Sequence, residues 1–244
     1  MTGGEPLLCL PSIIRISEYC SEVGIKTGIN TNGHLITSPT TSKLKSVGLE
    51  VIKISIDALD DQILKKIRGK RANFEEILQG TMNALKNNFT VIWRFTLCQL
   101  NKSQMIPIYE LAHSLGVHKM QIKPIIASGR AINTNISLST IDIEINLSKL
   151  NKIYKREGTE VKALCWPDEL SGGLPVERCG SLNKIYFYTD LKAIICNYVS
   201  NAIAIGSLHD NSFEDIFLNR SSQILKSNNN RKYVERCPQL TFIK

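Results

Sequence analysis

The sequence predicts an α/β protein built on a parallel sheet. Apolar segments with helical spacing alternate with short β-branched segments along much of the chain, which indicates amphipathic helices between strands. Gly24, Gly48 and Gly116 each follow a helical segment, as residues that end helices commonly do. Repeated alternation of this kind produces crossover units and therefore parallel strands. The periodicity leaves a barrel and an open sheet as alternatives.

The predicted elements follow one another in a regular order. The segment at 51–57 is nearly continuous in apolar character, which is typical of a strand buried on both faces. Farther along, 184–188 and 192–195 flank Thr189-Asp190-Leu191 and predict a β-hairpin. Helices are predicted at 7–23, 39–47, from about 73, at 103–115, 141–156, 213–218 and around 223, and strands at 25–30, 51–57, 90–97, 119–126 and 160–164.

The composition is typical of a soluble protein. Hydrophobic residues make up 43% of the 244 residues and charged residues 21%. No apolar run approaches the roughly 20 residues of a membrane span, and no charged-then-apolar leader precedes Thr2, so we expect a cytoplasmic protein without a membrane partner. The net charge of +8 is attributed to solvated helix faces rather than to nucleic-acid binding, although a positive surface also suits anionic ligands.

The cysteine pattern argues against a disulfide framework. The chain has seven cysteines, and an odd number without a secretory leader is typical of reduced thiols. Cys9, Cys20 and Cys98 lie among apolar neighbours and are interpreted as buried core residues.

Polar residues recur at the ends of the predicted strands. Gly3-Gly4-Glu5, Thr31-Asn32-Gly33, Ser55 with Asp57, and the region of Asn101 all stand at such positions. Ligands bind at the carboxyl ends of parallel strands because the loops converge there. Each group taken alone is also explained as a turn or a helix cap. Their recurrence favours a ligand site.

These motifs, taken together and in order, resemble the core of the radical S-adenosylmethionine (SAM) enzymes of the SPASM branch. The similarity covers Thr2-Gly3-Gly4-Glu5-Pro6, Thr31-Asn32-Gly33, Ile54-Ser55-Ile56-Asp57 and Ile67-Arg68-Gly69, and continues from Lys123-Pro124 to Ser128-Gly129-Arg130-Ala131. The resemblance implies a partial (β/α)6 radical SAM-type barrel over residues 1–156.

The same resemblance suggests roles for particular residues. Gly3, Gly4 and Glu5 would face the methionine end of SAM, and Thr31 would lie near SAM or the substrate. Ser55 would contact the ribose or carboxylate of SAM, and Asp57 at the same strand end is included among the predicted cofactor-binding residues.

One hallmark of the family is not found in this sequence. The family holds a SAM-chelating [4Fe–4S] cluster with a CxxxCxxC loop after its first strand, and no such motif occurs here. The first strand and the cluster loop are therefore expected to be missing, as in a truncated chain whose start was placed too late or whose gene is broken. No catalytic residue is assigned.

The tail carries a second resemblance, to a SPASM or twitch domain over residues 157–244. Cys179, Cys196 and Cys237 flank the predicted hairpin and the segment after it, where the family binds an auxiliary [4Fe–4S] cluster. Cys165 is a candidate fourth ligand. The alternative is three reduced, partly buried thiols. Leu191 stands where the family usually has a hairpin glycine, which matters if the turn requires a positive φ.

The leading hypothesis is a radical SAM enzyme, or a truncated form of one. Such an enzyme takes an electron from a donor, cleaves SAM reductively and modifies a substrate through a radical, often a peptide or protein. That substrate class comes from the resemblance alone. The alternative is a non-catalytic remnant that binds an iron–sulfur cluster, SAM or a partner protein.

Overall fold

The computed structural model describes residues 1–125, 131, 134–155, 158–164, 170–177, 185–194 and 204–219. Its largest unit is a six-stranded sheet in which every neighbouring pair is parallel and the strands follow chain order. The predicted α/β class with parallel strands is therefore confirmed. The strands are β1 (Thr27–Thr31), β2 (Leu49–Ser55), β3 (Thr90–Leu97), β4 (Lys119–Pro124), β5 (Glu160–Leu164) and β6 (Val176–Glu177).

Helices connect these strands, and their ends follow the sequence signals. Gly24, Gly48 and Gly116 follow α1, α2 and α5 with φ of 73°, 79° and 73°, a left-handed conformation that glycine adopts without strain. No helix in the described ranges is long and apolar enough to cross a membrane. The helices are α1 (Leu10–Glu22), α2 (Ser38–Ser46), α3 (Asp61–Arg68), α4 (Phe74–Lys86), α5 (Met105–Leu115) and α6 (Thr140–Ile153), with 3-10 turns at Pro6–Cys9 and Lys102–Gln104.

Helix α3 was not predicted from the sequence. Its N-cap is Asp60, whose side chain accepts a hydrogen bond of 2.8 Å from the backbone N–H of Ile63. Leu64 is fully buried, and the basic residues around it face outward or into ion pairs. The signal for this helix in the sequence is Asp60, because aspartate is a preferred N-cap residue.

The two faces of the parallel sheet differ in character. On one face Ile52, Ile54, Trp93 and Phe95 are fully buried and pack with the helices in a single core. The expectation that β2 is buried on both faces was wrong, because Lys53 and its alternate neighbours are only half-buried. The opposite face, called the polar face below, carries Asn30, Lys53, Ser55, Arg94, Thr96, Lys119, Gln121, Lys123, Glu160, Lys162 and Glu177.

A second, antiparallel sheet confirms the predicted hairpin. It consists of β7 (Tyr186–Phe187), β8 (Lys192–Ile194) and β9 (Ala204–Ser207), followed by a helix at 213–219. Leu191 in the hairpin has a φ of 61°, so the turn does require the left-handed conformation that a glycine would adopt more readily.

The parallel sheet extends past residue 156, the predicted end of the first domain. Strand β5 pairs with β4, and β6, which was not predicted, pairs with β5 as far as Glu177. The division of the chain into two domains stays a prediction. The helix predicted around residue 223 lies outside the described residues.

The first three cysteines differ in exposure. Cys98 is fully buried, as predicted, and burial raises the pKa of its thiol. Cys20 is half-buried, but the prediction for Cys9 was wrong because its side chain is exposed. Cys9 ends the 3-10 turn Pro6–Cys9, and only one side of such a turn can face the core.

Candidate functional site

The candidate site begins beside the edge strand β1. The carbonyl of Met1 accepts a hydrogen bond of 3.0 Å from the N–H of Asn30, and the amino group of Met1 donates to the carbonyl of Gly28. Met1 therefore lies alongside β1 in the manner of a parallel strand residue. The chain then turns away from β1, and Glu5 comes to lie beside Thr31, at the carboxyl end of that strand. The motif predicted this position at a strand end.

The carboxylate of Glu5 is fixed by three donors from the protein. Its Oε1 accepts from the hydroxyl of Thr31 at 2.7 Å and from the N–H of Leu7 at 3.1 Å, and its Oε2 accepts from the N–H of Asn32 at 2.8 Å. A carboxylate offers about four acceptor positions. Oε2 therefore retains acceptor capacity for a further donor.

Gly3 and Gly4 border open space. A Cβ atom built on either residue would meet nothing within 4 Å, and neither residue has a positive φ. The protein's own packing therefore does not require glycine at these positions. A ligand that approaches the backbone closely would require it.

The loop after β1 is held to the start of α4. The hydroxyl of Thr31 accepts from the N–H of Gly33 at 3.1 Å, and Thr31 is 3% exposed. His34 Nδ1 lies 3.0 Å from Asn32 Oδ1, and His34 Nε2 accepts a hydrogen bond of 3.2 Å from the N–H of Asn73. Because Nε2 accepts, we place the ring proton on Nδ1. His34 thus positions the loop.

Asp57 stands at the end of β2 but faces the protein. The side chain is fully buried; its Oδ1 accepts from the N–H of Thr96 at 2.6 Å, and its Oδ2 accepts from the guanidinium of Arg68. Asn101 adds a brace, because its amide donates to the carbonyls of Asp57 and Thr96, both at 2.9 Å. In this structure Asp57 joins β2, β3 and α3, and its predicted contact with a cofactor stays a prediction.

Ser55 lies at the carboxyl end of β2, on the polar face of the sheet. It is half-buried, and its register partner on β3 is Arg94. Among the described residues no side chain or backbone group is seen to hydrogen-bond its hydroxyl, so that hydroxyl is available to a ligand. The predicted contact of Ser55 with SAM is compatible with this position.

The predicted metal ligands lie elsewhere. Cys179, Cys196 and Cys237, together with Cys165, fall outside the described residues. Within the described ranges, no group of three or more His, Cys, Asp or Glu residues could hold a metal ion. The described residues therefore supply no ligand set for an iron–sulfur cluster, whereas Glu5 retains acceptor capacity and Gly3 and Gly4 border open space.

The structure thus separates the predicted cofactor residues into two groups. Glu5 and Thr31 are brought together by a direct hydrogen bond, with the glycines before them. Asp57 is turned into a buried network. Sequence reasoning missed the contact of Arg68 with Asp57, although the proximity of Ile67-Arg68-Gly69 to a strand end offered a signal.

Comparison with known proteins agrees with this geometry. The family model described as the radical SAM superfamily matches residues 1–112, somewhat less than half of the chain. The chain is also 28% identical over 167 residues to the AdoMet-dependent heme synthase of Methanosarcina barkeri, a match that covers 68% of this chain and 47% of that protein. The chain thus spans about half the length of this relative.

Solved structures show the same fold. Streptococcus suis SuiB bound to S-adenosylmethionine has a TM-score of 0.68 at 15% identity, over 88% of this chain and 53% of that one. Native anSMEcpe with bound AdoMet and Cp18Cys peptide has a TM-score of 0.64 at 15% identity, over 88% of this chain and 65% of that one. The parallel sheet of this chain therefore has the fold of these two proteins, a partial barrel of parallel strands.

Proposed function

We propose that this chain binds S-adenosylmethionine beside β1 and that its protein is a radical SAM enzyme, which cleaves SAM reductively to modify a substrate. The observation that carries the proposal is the Glu5 carboxylate, which three donors hold in place and which keeps acceptor capacity on Oε2. A carboxylate fixed in this way is pre-organised to bind an ammonium group. SAM carries such a group at its methionine end.

The neighbouring residues complete the proposed site. The open space in front of Gly3 and Gly4 admits the methionine end close to the backbone, where main-chain N–H groups are donors for a carboxylate. The hydroxyl of Ser55 is placed to bond the ribose or carboxylate. SAM, when bound, supplies the radical chemistry of the family. The residues of this chain bind and orient it.

The substrate and the redox partners are further proposals. A peptide or protein substrate is supported by the peptide bound in the anSMEcpe structure, whereas the heme synthase is named for a different product. An electron donor is needed for reductive cleavage, and Cys179, Cys196 and Cys237 stay the predicted ligands of an auxiliary cluster.

The proposal is tested by the preference for SAM over 5′-methylthioadenosine, which lacks the amino and carboxyl groups. Titration calorimetry on the 244-residue chain should show tighter binding of SAM. Glu5→Gln should reduce that preference by about tenfold to a hundredfold, because it removes a charged acceptor whose hydrogen bond contributes about 1.5–3 kcal/mol.

A matched control is Glu18→Gln, which changes the same charge on an exposed position of α1 and should leave the preference unchanged. A purely structural role of Glu5 would weaken both ligands equally and leave their ratio intact. An unchanged ratio in Glu5→Gln, or no SAM binding by the wild type, would contradict the proposal.

A further inference from the structure

The polar face of the sheet carries a diagonal row of positive charge. Lys53 of β2 pairs in register with Ile92 of β3, and Arg94 stands two residues after Ile92. Arg94 pairs with Gln121 of β4, and Lys123 stands two residues after Gln121. Each step from Lys53 to Arg94 to Lys123 therefore crosses one strand and advances toward the carboxyl end. Neighbouring strands lie about 4.8 Å apart and two residues rise about 6.6 Å, so backbone positions one diagonal step apart lie about 8 Å from each other.

The carboxylates of the same face are engaged with other partners. Glu160 accepts from Lys119 at 2.8 Å and from Lys162 at 3.0 Å, so one carboxylate serves two lysines. Glu177 accepts from the amide of Gln121 at 2.8 Å. Among the described strand residues of the polar face, cations therefore outnumber carboxylates.

The three cations of the diagonal are half-buried, which weakens the screening of their charges by water. All three also interact within the protein, and among the described strand residues of the polar face five cations stand against two carboxylates. Like charges held at this spacing on a partly desolvated face repel one another. An anionic ligand bound along the row would attract all three cations and offset this repulsion.

We infer that the diagonal of Lys53, Arg94 and Lys123 binds a substrate that carries two or more anionic groups, either phosphates or carboxylates. Arginine and lysine supply the donors that such groups prefer, and the fork of Arg94 can contact two oxygens at once. The row rises toward the edge where Ser55, the register neighbour of Arg94, stands. A ligand on the diagonal would thus reach the carboxyl edge of the sheet, at which Glu5 and Ser55 also lie, on strands that lead away from β1.

This inference names the substrate class of the proposed enzyme and rests on the proposed function. The experiment therefore measures the anionic ligand and SAM separately. The probes are inorganic tripolyphosphate, which represents a phosphate-bearing substrate, and a tri-glutamate peptide, which represents a carboxylate-bearing one. Both are titrated into the full chain by calorimetry at low ionic strength.

The test variant carries Lys53→Gln, Arg94→Gln and Lys123→Gln together. The matched control carries Lys43→Gln, Lys66→Gln and Lys86→Gln, which remove the same charge from exposed helix positions. Wild type and control should bind one of the two probes, and the test variant should bind it about tenfold or more weakly. The preferred probe identifies the chemical class of the anion.

Folding and SAM binding are monitored in the same samples. Circular dichroism shows whether the test variant is folded, and the single variant Lys123→Gln, with a smaller loss of binding, serves if the triple variant unfolds. Binding of neither probe by wild type, equal loss in the control, or binding of a nucleic acid in place of both probes would overturn the inference. Failure of wild type to bind SAM would count against the proposed function alone.

Discussion

Glu5 and Asp57 are carboxylates in similar sequence settings that the structure uses in opposite ways. Both follow a strand position at the same edge of the sheet, and both accept a backbone N–H from a neighbouring segment. Asp57 is fully buried and also binds the guanidinium of Arg68. Glu5 is half-buried and has only neutral donors from the protein.

The difference shows what separates a brace from a ligand-binding group. A buried carboxylate requires a cationic partner, and Arg68 supplies it within the protein. Glu5 has no cationic partner among the described residues, so its negative charge is left for a ligand. The position at a strand end is therefore not sufficient to predict a cofactor contact, and the identity of the partners decides it.

The largest expected effect comes from removal of the partner of Asp57. Arg68→Ala should lower the free energy of unfolding by about 3 kcal/mol, because it leaves a buried carboxylate without its counter-charge. Chemical denaturation followed by circular dichroism measures this change. Lys66→Ala, an exposed position of the same helix, should change the stability by less than about 0.5 kcal/mol. Equal effects of the two variants would show that Arg68 is not a brace.

A smaller effect is expected where Thr31 supports Glu5. Thr31→Val removes the hydroxyl that donates to Glu5 and accepts from Gly33, which should lower the stability by about 1–2 kcal/mol. The same variant should reduce the preference for SAM over 5′-methylthioadenosine, since Glu5 loses an anchor. Thr90→Val, at an exposed strand position, serves as the control. A loss of stability without a change in the preference for SAM would show that Thr31 does not support SAM binding.

The smallest effect concerns pH and the start of α3. The hydrogen bond from the N–H of Phe74 is the main cause that lowers the pKa of Asp61 below its ordinary value of 3.8, and the hydrogen bond from Lys65 lowers it further. Asp61 therefore stabilises the fold above that value and loses this contribution as the pH falls through its folded pKa. The difference in thermal midpoint between wild type and Asp61→Asn should shrink below pH 3.8. A difference that is constant with pH would contradict this role.

The sequence predicted the fold well because its signals were local. The strands at 90–97 and 160–164 have the predicted bounds, and three glycines mark helix ends as expected. Helix α3 and the two-residue strand β6 were missed, because both are short and carry few apolar residues. The polar face was missed because Val51 obscured the alternation of Lys53 and Ser55 along β2.

The candidate site could be predicted only in part. The order of the motifs pointed to Glu5 and Thr31, and the structure joins them directly. The buried pair of Asp57 and Arg68 depends on how α3 packs, and the anchoring of His34 by Asn73 depends on a loop meeting a distant helix. Such contacts arise from tertiary packing, which the spacing of residues along the chain does not encode.

The central claim, that Glu5 binds the cofactor while Asp57 braces the fold, is tested most directly by a crystal structure of the chain soaked with SAM. In that structure the SAM amino group should lie within about 3.2 Å of Glu5 Oε2. Asp57 should still bind Thr96 and Arg68. A SAM amino group on Asp57, or one distant from both carboxylates, would contradict the account.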